Sequence, residues 1–176
     1  MKKNKMFITV IVCLLPIILG IVLYNKLPDE MPIHFTFNNE PDNYGPKWFA
    51  LFGIPVIMAF IQFIVVIAFR EVKDEKTMFI RLSKWIIPVV TVLVYLVMLG
   101  VPLSGTTSYV GKSICFIVGM LFIVTGNYIP KVDYETGKNI FNPRPKDEKA
   151  FRKMSRIMGY SMVTLGIVFL VIMLFV

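Results

Sequence analysis

The segment LPDEMPIHFTFNNEPDNYGPK, residues 27–47, holds the chain's only histidine, His34, and four of its eleven acidic residues, Asp29, Glu30, Glu40 and Asp42. An imidazole among carboxylates could move a proton or help hold a metal ion, and two carboxylates could act as acid and base. A lone histidine makes a poor metal site, because zinc draws on three or four nitrogen, sulfur or carboxylate ligands. Loop carboxylates are more often simply solvated. The sequence contains no Gly-x-Ser-x-Gly, no paired His and Cys ligands and no phosphate-cradling glycine loop. No catalytic residue, metal or cofactor is therefore expected. For His34 two readings stay open, a hydrogen bond to a neighbouring carboxylate or backbone group, or contact with a ligand.

The elements that position this segment are apolar. Of 176 residues, 56% are hydrophobic and 17% charged, and the mean hydropathy is +0.71. A soluble domain of this length needs far more charged surface. Five apolar runs stand out, at residues 6–24, 48–69, 85–103, 113–129 and 157–176. Each lies in the range of roughly 17–25 residues that carries a helix across a bilayer core. The expectation is an all-α integral membrane protein, a five-transmembrane-helix bundle forming one multi-pass domain in the cell membrane. MKKNK before the first run reads as the start of an uncleaved signal anchor, since no A-x-A-like site follows. Cys13 and Cys115 fall inside apolar runs, where cysteine packs as a small hydrophobe.

Charge placement orients the bundle. Sixteen of the nineteen basic residues lie before the first run or in the segments 70–84 and 130–156, leaving Lys26, Lys47 and Lys112 for the opposite side. The positive-inside rule places the N-terminus in the cytoplasm, the C-terminus outside and the loop 25–47 outside. The cations alternate with acids and flank membrane runs, so they point to anionic membrane lipids and away from nucleic acid.

No Asp, Glu, Lys, Arg or His lies in the middle of any run, which argues against a proton or ion pump. Pro16 and Pro55 are expected to kink the first and second helices, and Pro88 to sit harmlessly in the first turn of the third. Gly119 and Gly126 are seven apart, as are Gly159 and Gly166, with Ser155 four before Gly159. Such spacing lets helices approach closely, within the chain first, with homodimerisation open beside it.

Prolines at 28, 32, 41 and 46 prevent the loop 25–47 from being helical. IHFTF alternates, with Ile33, Phe35 and Phe37 on one side and His34 and Thr36 on the other, the period of a strand. NNEPDNYG then supplies turn residues, and Trp48 sits at interface depth. A compact, partly extended cap with an apolar edge results. Its ligand-contacting residues are expected to be Ile33, His34, Phe35, Phe37, Asp42, Tyr44 and Trp48.

These residues also carry a resemblance. Leu27, Pro28, Pro32, His34, Phe35, Asn38, Glu40, Pro41, Asp42, Tyr44, Gly45 and Lys47 resemble the N-terminal segment of the SdpI/YfhL family of bacterial immunity proteins. Asn39 stands where that pattern has a glycine, a swap that a left-handed backbone would accommodate. A second signature, GNYIPK, is carried by Gly126, Asn127, Tyr128, Ile129, Pro130 and Lys131. Further on, FRKMSR has Ser155 where the family has histidine, and many members have six spans. The resemblance implies a Gram-positive cell protected from a secreted toxic peptide and, in some members, signal transduction through a transcription factor held at the membrane. Two alternatives stand beside an immunity protein that binds toxin at the outer face. One is a receptor sequestering a cytoplasmic repressor through its basic loops, and the other is a small carrier of a neutral solute.

Overall fold

The computed structural model describes residues 3–36, 38–68, 78–140 and 145–175. Its elements run α1 (Lys3–Leu14), α2 (Pro16–Leu23), β1 (Glu30–Phe35), β2 (Pro41–Pro46), α3 (Ile54–Ala68), α4 (Met78–Ser104), α5 (Val110–Tyr128), α6 (Tyr134–Ile140) and α7 (Glu148–Ile172). Among the described residues, five helical segments are long and apolar enough to cross a membrane, and α1 and α2 together form most of the first. The chain is a multi-pass helical membrane protein.

Helix ends differ from the apolar runs for a simple reason. Hydropathy stops where apolar side chains stop, whereas the backbone ladder continues through polar residues. So α4 starts at Met78 instead of 85, and α7 at Glu148 instead of 157. Asp147 caps α7, its carboxylate accepting from the Ala150 amide at 2.7 Å, which meets one of the free amides every helix start exposes. Two expectations are corrected by the early start of α4. Lys84, placed in a loop, is inside the helix and 3% exposed. Pro88, placed in a first turn, is in the helix interior.

An interior proline brings no N–H to the carbonyl four residues before it, and in lipid that carbonyl needs another donor. Pro16 is met locally: the Leu15 amide turns to Val12 O at 3.3 Å, where α1 gives way to α2. Pro55 and Pro88 are met across the bundle. Pro55 follows a π-helical stretch at Phe49–Gly53 and leaves Leu51 O, to which Tyr95 Oη of α4 donates at 3.3 Å. Pro88 leaves Lys84 O, to which Gln62 Nε2 of α3 donates at 2.9 Å. The same Nε2 donates to Thr9 Oγ1 of α1 at 2.8 Å. The second span, from the π-helical turn through α3, and α4 thus complete each other's backbones. Gln62→Leu should cost about 1 kcal/mol in thermal unfolding of the detergent-solubilised chain. Most of that loss should vanish in a Pro88→Ala background, where an intrahelical amide reaches Lys84 O. Equal losses in both backgrounds would sink this account.

The remaining half of the bundle is a glycine seam. A Cβ on Gly126 would lie 2.7 Å from Gly159 O, and one on Gly119 2.9 Å from Gly166 O. The two glycine pairs of the sequence therefore meet each other, and α5 packs more extensively on α7 than any other two elements pack. The intrachain packing expected from their spacing uses the glycine faces up, leaving them unavailable to a second copy.

Candidate functional site

β1 and β2 pair antiparallel, Glu30 opposite Pro46 and Met31 opposite Gly45, with irregularities on either side of His34 that leave Ile33 and Asp42 without strand partners. The strand read from IHFTF is present but begins earlier, at Glu30. The turn is narrower than NNEPDNYG suggests. Thr36 N donates to Glu40 O at 2.9 Å and Asn39 N to Thr36 O at 3.1 Å. Asn39 adopts φ +64°, the left-handed backbone that its place in the motif calls for. Pro41–Pro46 then forms a second strand where turn residues were expected.

Most of the motif holds this hairpin in place. Leu27 and Met31 are buried with Ala50, Leu51, Tyr95, Met98 and Leu99 in the core beneath it. Pro32 is also buried, while Pro28 is exposed at the hairpin's approach. Lys47 is a pin: its Nζ lies 3.0 Å from Asp29 Oδ1, donates to Leu27 O at 3.2 Å and sits 4.5 Å from the Tyr24 ring centroid. Lys47 N also donates to Asp29 O at 2.7 Å, closing the hairpin base. Gly45 is buried, and a Cβ there would press on the Ile33 side chain, 3.1 Å from its Cδ1.

The expected ligand residues divide into two groups. Ile33 and Phe35 are half-buried and, with Pro32 and His34, form one wall of an apolar cavity of about 370 Å³. Its other walls are Ile54 and Met58 of α3, residues of α4 from Val90 to Met98, and Val110 and Ile114 of α5. Two hydroxyls face this space from α4. Thr91 donates to Ile87 O at 2.7 Å and Tyr95 to Leu51 O, so both are engaged. His34 is exposed at the rim and its Nδ1 lies 2.6 Å from Asp42 Oδ1, the neighbouring-carboxylate bond anticipated for it. Tyr44 and Trp48 form the second group, 52% and 59% exposed and not part of the cavity wall. Phe37 lies outside the described residues.

The helical walls carry no sequence signal. Met58, Val94 and Ile114 are apolar residues in apolar spans, and only three-dimensional packing singles them out. The second signature has a structural account as well. Gly126 enters the glycine seam, and Pro130 packs where a Gly159 side chain would be. Ile129 is buried, Lys131 Nζ donates to Asn127 Oδ1 at 3.3 Å and lies 4.6 Å from the Tyr128 ring centroid. These residues fasten the end of α5 to α7.

Five spans topped by a pinned hairpin over an apolar cavity define a small multi-pass protein of the cell membrane. Residues 11–59, from the first span through the hairpin into α3, match a family described as a domain of unknown function (DUF1648). Over 180 residues the chain is 26% identical to Immunity protein SdpI of Bacillus subtilis (strain 168), covering 99% of this chain and 83% of that protein. No solved structure matches. The chain is thus similar along nearly its whole length to a membrane immunity protein, and the family model matches its first span, hairpin and the start of α3.

Proposed function

We propose that this chain is a membrane immunity protein that protects a Gram-positive cell by taking up part of a secreted toxic peptide at its hairpin end. One observation carries the reading: Ile33 and Phe35, apolar residues of the polar, proline-rich segment between the first two spans, wall a cavity of about 370 Å³ beside the exposed His34–Asp42 pair. A cavity of that size is at the lower end for ligand sites and admits one or two apolar side chains of a peptide. Tyr44 and Trp48, both exposed, would extend the contact across the outer surface, as aromatic residues do at interfaces. The likeness to an immunity protein supports binding in place of catalysis. Membrane lipids surround the spans in either case.

The reading requires the hairpin to face the exterior. In a chain with Cys13 and Cys115 replaced by alanine, a cysteine at Asn38 should react with an impermeant thiol reagent added to intact cells, and one at Asn139 should not. The opposite labelling would overturn the orientation and the function with it. Protection itself is tested in a Bacillus subtilis strain lacking SdpI, challenged with culture medium from the intact strain. Cells expressing this chain should survive where vector controls die. Equal killing, with the chain inserted at normal level, would reject protection against that strain's toxin.

A further inference from the structure

We propose that the face of α7 turned away from the bundle, at its N-terminal end, is a headgroup site for an anionic glycerophospholipid. The register of the helix separates its two faces. Phe151, Ser155 and Gly159 are buried against the rest of the bundle, whereas Lys149, Arg152, Lys153 and Arg156 are all exposed. These four cations, with Glu148, Ile157 and Tyr160, line a surface groove of about 680 Å³. Arg152 is engaged by Glu148, Nε at 2.9 Å and Nη2 at 2.5 Å from the same carboxylate oxygen. No ion pair joins Lys149, Lys153 or Arg156 to another described residue. Three cations at i, i+4 and i+7 thus share one face, about 10 Å from end to end along the axis.

Depth selects the ligand class. The apolar part of α7 begins at Ile157, so Arg156 stands at the hydrocarbon edge and Lys153 lies within the headgroup layer, which is roughly 5–8 Å thick. The long Lys149 side chain reaches that layer from just above it. Ile157 and Tyr160, 57% and 69% exposed, continue the same face downward. A free phosphate would match the cations but not the apolar half of the groove, and an acidic protein would not follow the groove into the hydrocarbon. A phospholipid supplies both parts, a phosphodiester for the ammonium and guanidinium groups and acyl chains for Ile157 and Tyr160.

The test uses the full chain in a neutral detergent, titrated with phosphatidylglycerol, phosphatidylcholine or inorganic phosphate while thermal unfolding is followed. Phosphatidylglycerol should raise the midpoint of the native chain at the lowest concentration. In K149Q/K153Q/R156Q the same rise should need about a hundredfold more lipid, given three lost cations near the surface. K26Q/K112Q, which removes exposed charge at the hairpin end, should respond as the native chain does. Equal responses to the two lipids would leave the cations to a protein partner or to solvent and overturn the proposal. A response to inorganic phosphate matching that of phosphatidylglycerol would make this a free-anion site, and an unshifted triple variant would place the lipid elsewhere.

Discussion

Gly126→Val should lower the thermal midpoint of the detergent-solubilised chain by about 10 °C. At Gly126 the added carbon would meet Gly159 O at 2.7 Å, Met162 Cβ at 2.9 Å and Val163 N at 2.9 Å, two of them backbone atoms of α7. Overpacking costs typically about 1–3 kcal/mol, and backbone cannot rotate aside as a side chain can, so the upper end applies. For a chain of this size each kcal/mol moves the midpoint by about 2–4 °C. Gly159→Val should do comparable damage from the opposite side, against Pro130 Cγ at 2.5 Å and Gly126 O at 2.6 Å. Leu165→Val, on an exposed position of α7, should change little. A Gly126→Val protein melting within a degree or two of the native chain would mean that α5 and α7 do not meet at these glycines.

Val94→Trp should abolish protection in the toxin-challenge assay while leaving expression and insertion normal. Val94 is 40% exposed on the cavity wall, so an indole there can fill the space beneath Ile33 and Phe35 without displacing the core. Exchanging Phe35 and Phe37 for serine should have the same outcome by removing the apolar contact itself. Aromatic anchors at interfaces commonly contribute about 2 kcal/mol or more, roughly a thirtyfold loss of binding. His34→Ala should do less, because its imidazole is already engaged by Asp42. If Tyr44→Ser with Trp48→Ser removes protection and Val94→Trp does not, the peptide lies on the outer surface and not in the cavity. Full protection by the double phenylalanine variant, made in normal amount, would reduce the hairpin to a lid.

The sequence is clearest where a single periodicity or charge rule governs. Five apolar runs become five spanning helices because lipid leaves a backbone no better arrangement. Alternation in IHFTF marks β1, and the motif's glycine position marks the left-handed Asn39. β2 is hidden because Pro, Asp, Asn and Gly have low intrinsic strand preference, so PDNYGP becomes a strand only by pairing with β1. Burial of Lys84 is hidden because charge ordinarily signals a loop, whereas here the helix extends seven residues beyond the apolar run. At the candidate site, the hydrogen-bonded pair of His34 and Asp42 is legible from residue type, a lone imidazole among carboxylates. The cavity is not, since its walls come from three helices far apart in the sequence and have the same composition as every lipid-facing surface.

The crossed proline repairs between α3 and α4 also constrain how the chain is made. While α3 alone has entered the bilayer, Leu51 O lacks its hydroxyl from Tyr95; α4 alone would lack the Gln62 amide at Lys84 O. Each carbonyl left without its partner costs on the order of 1 kcal/mol, the loss expected of Gln62→Leu. Neither helix is therefore a finished product by itself. The two are best delivered as a pair, released sideways from the insertion machinery only after both have been synthesised. A nascent chain stalled between them would present a polar defect to lipid, the kind of flaw by which membrane proteases recognise an incomplete protein.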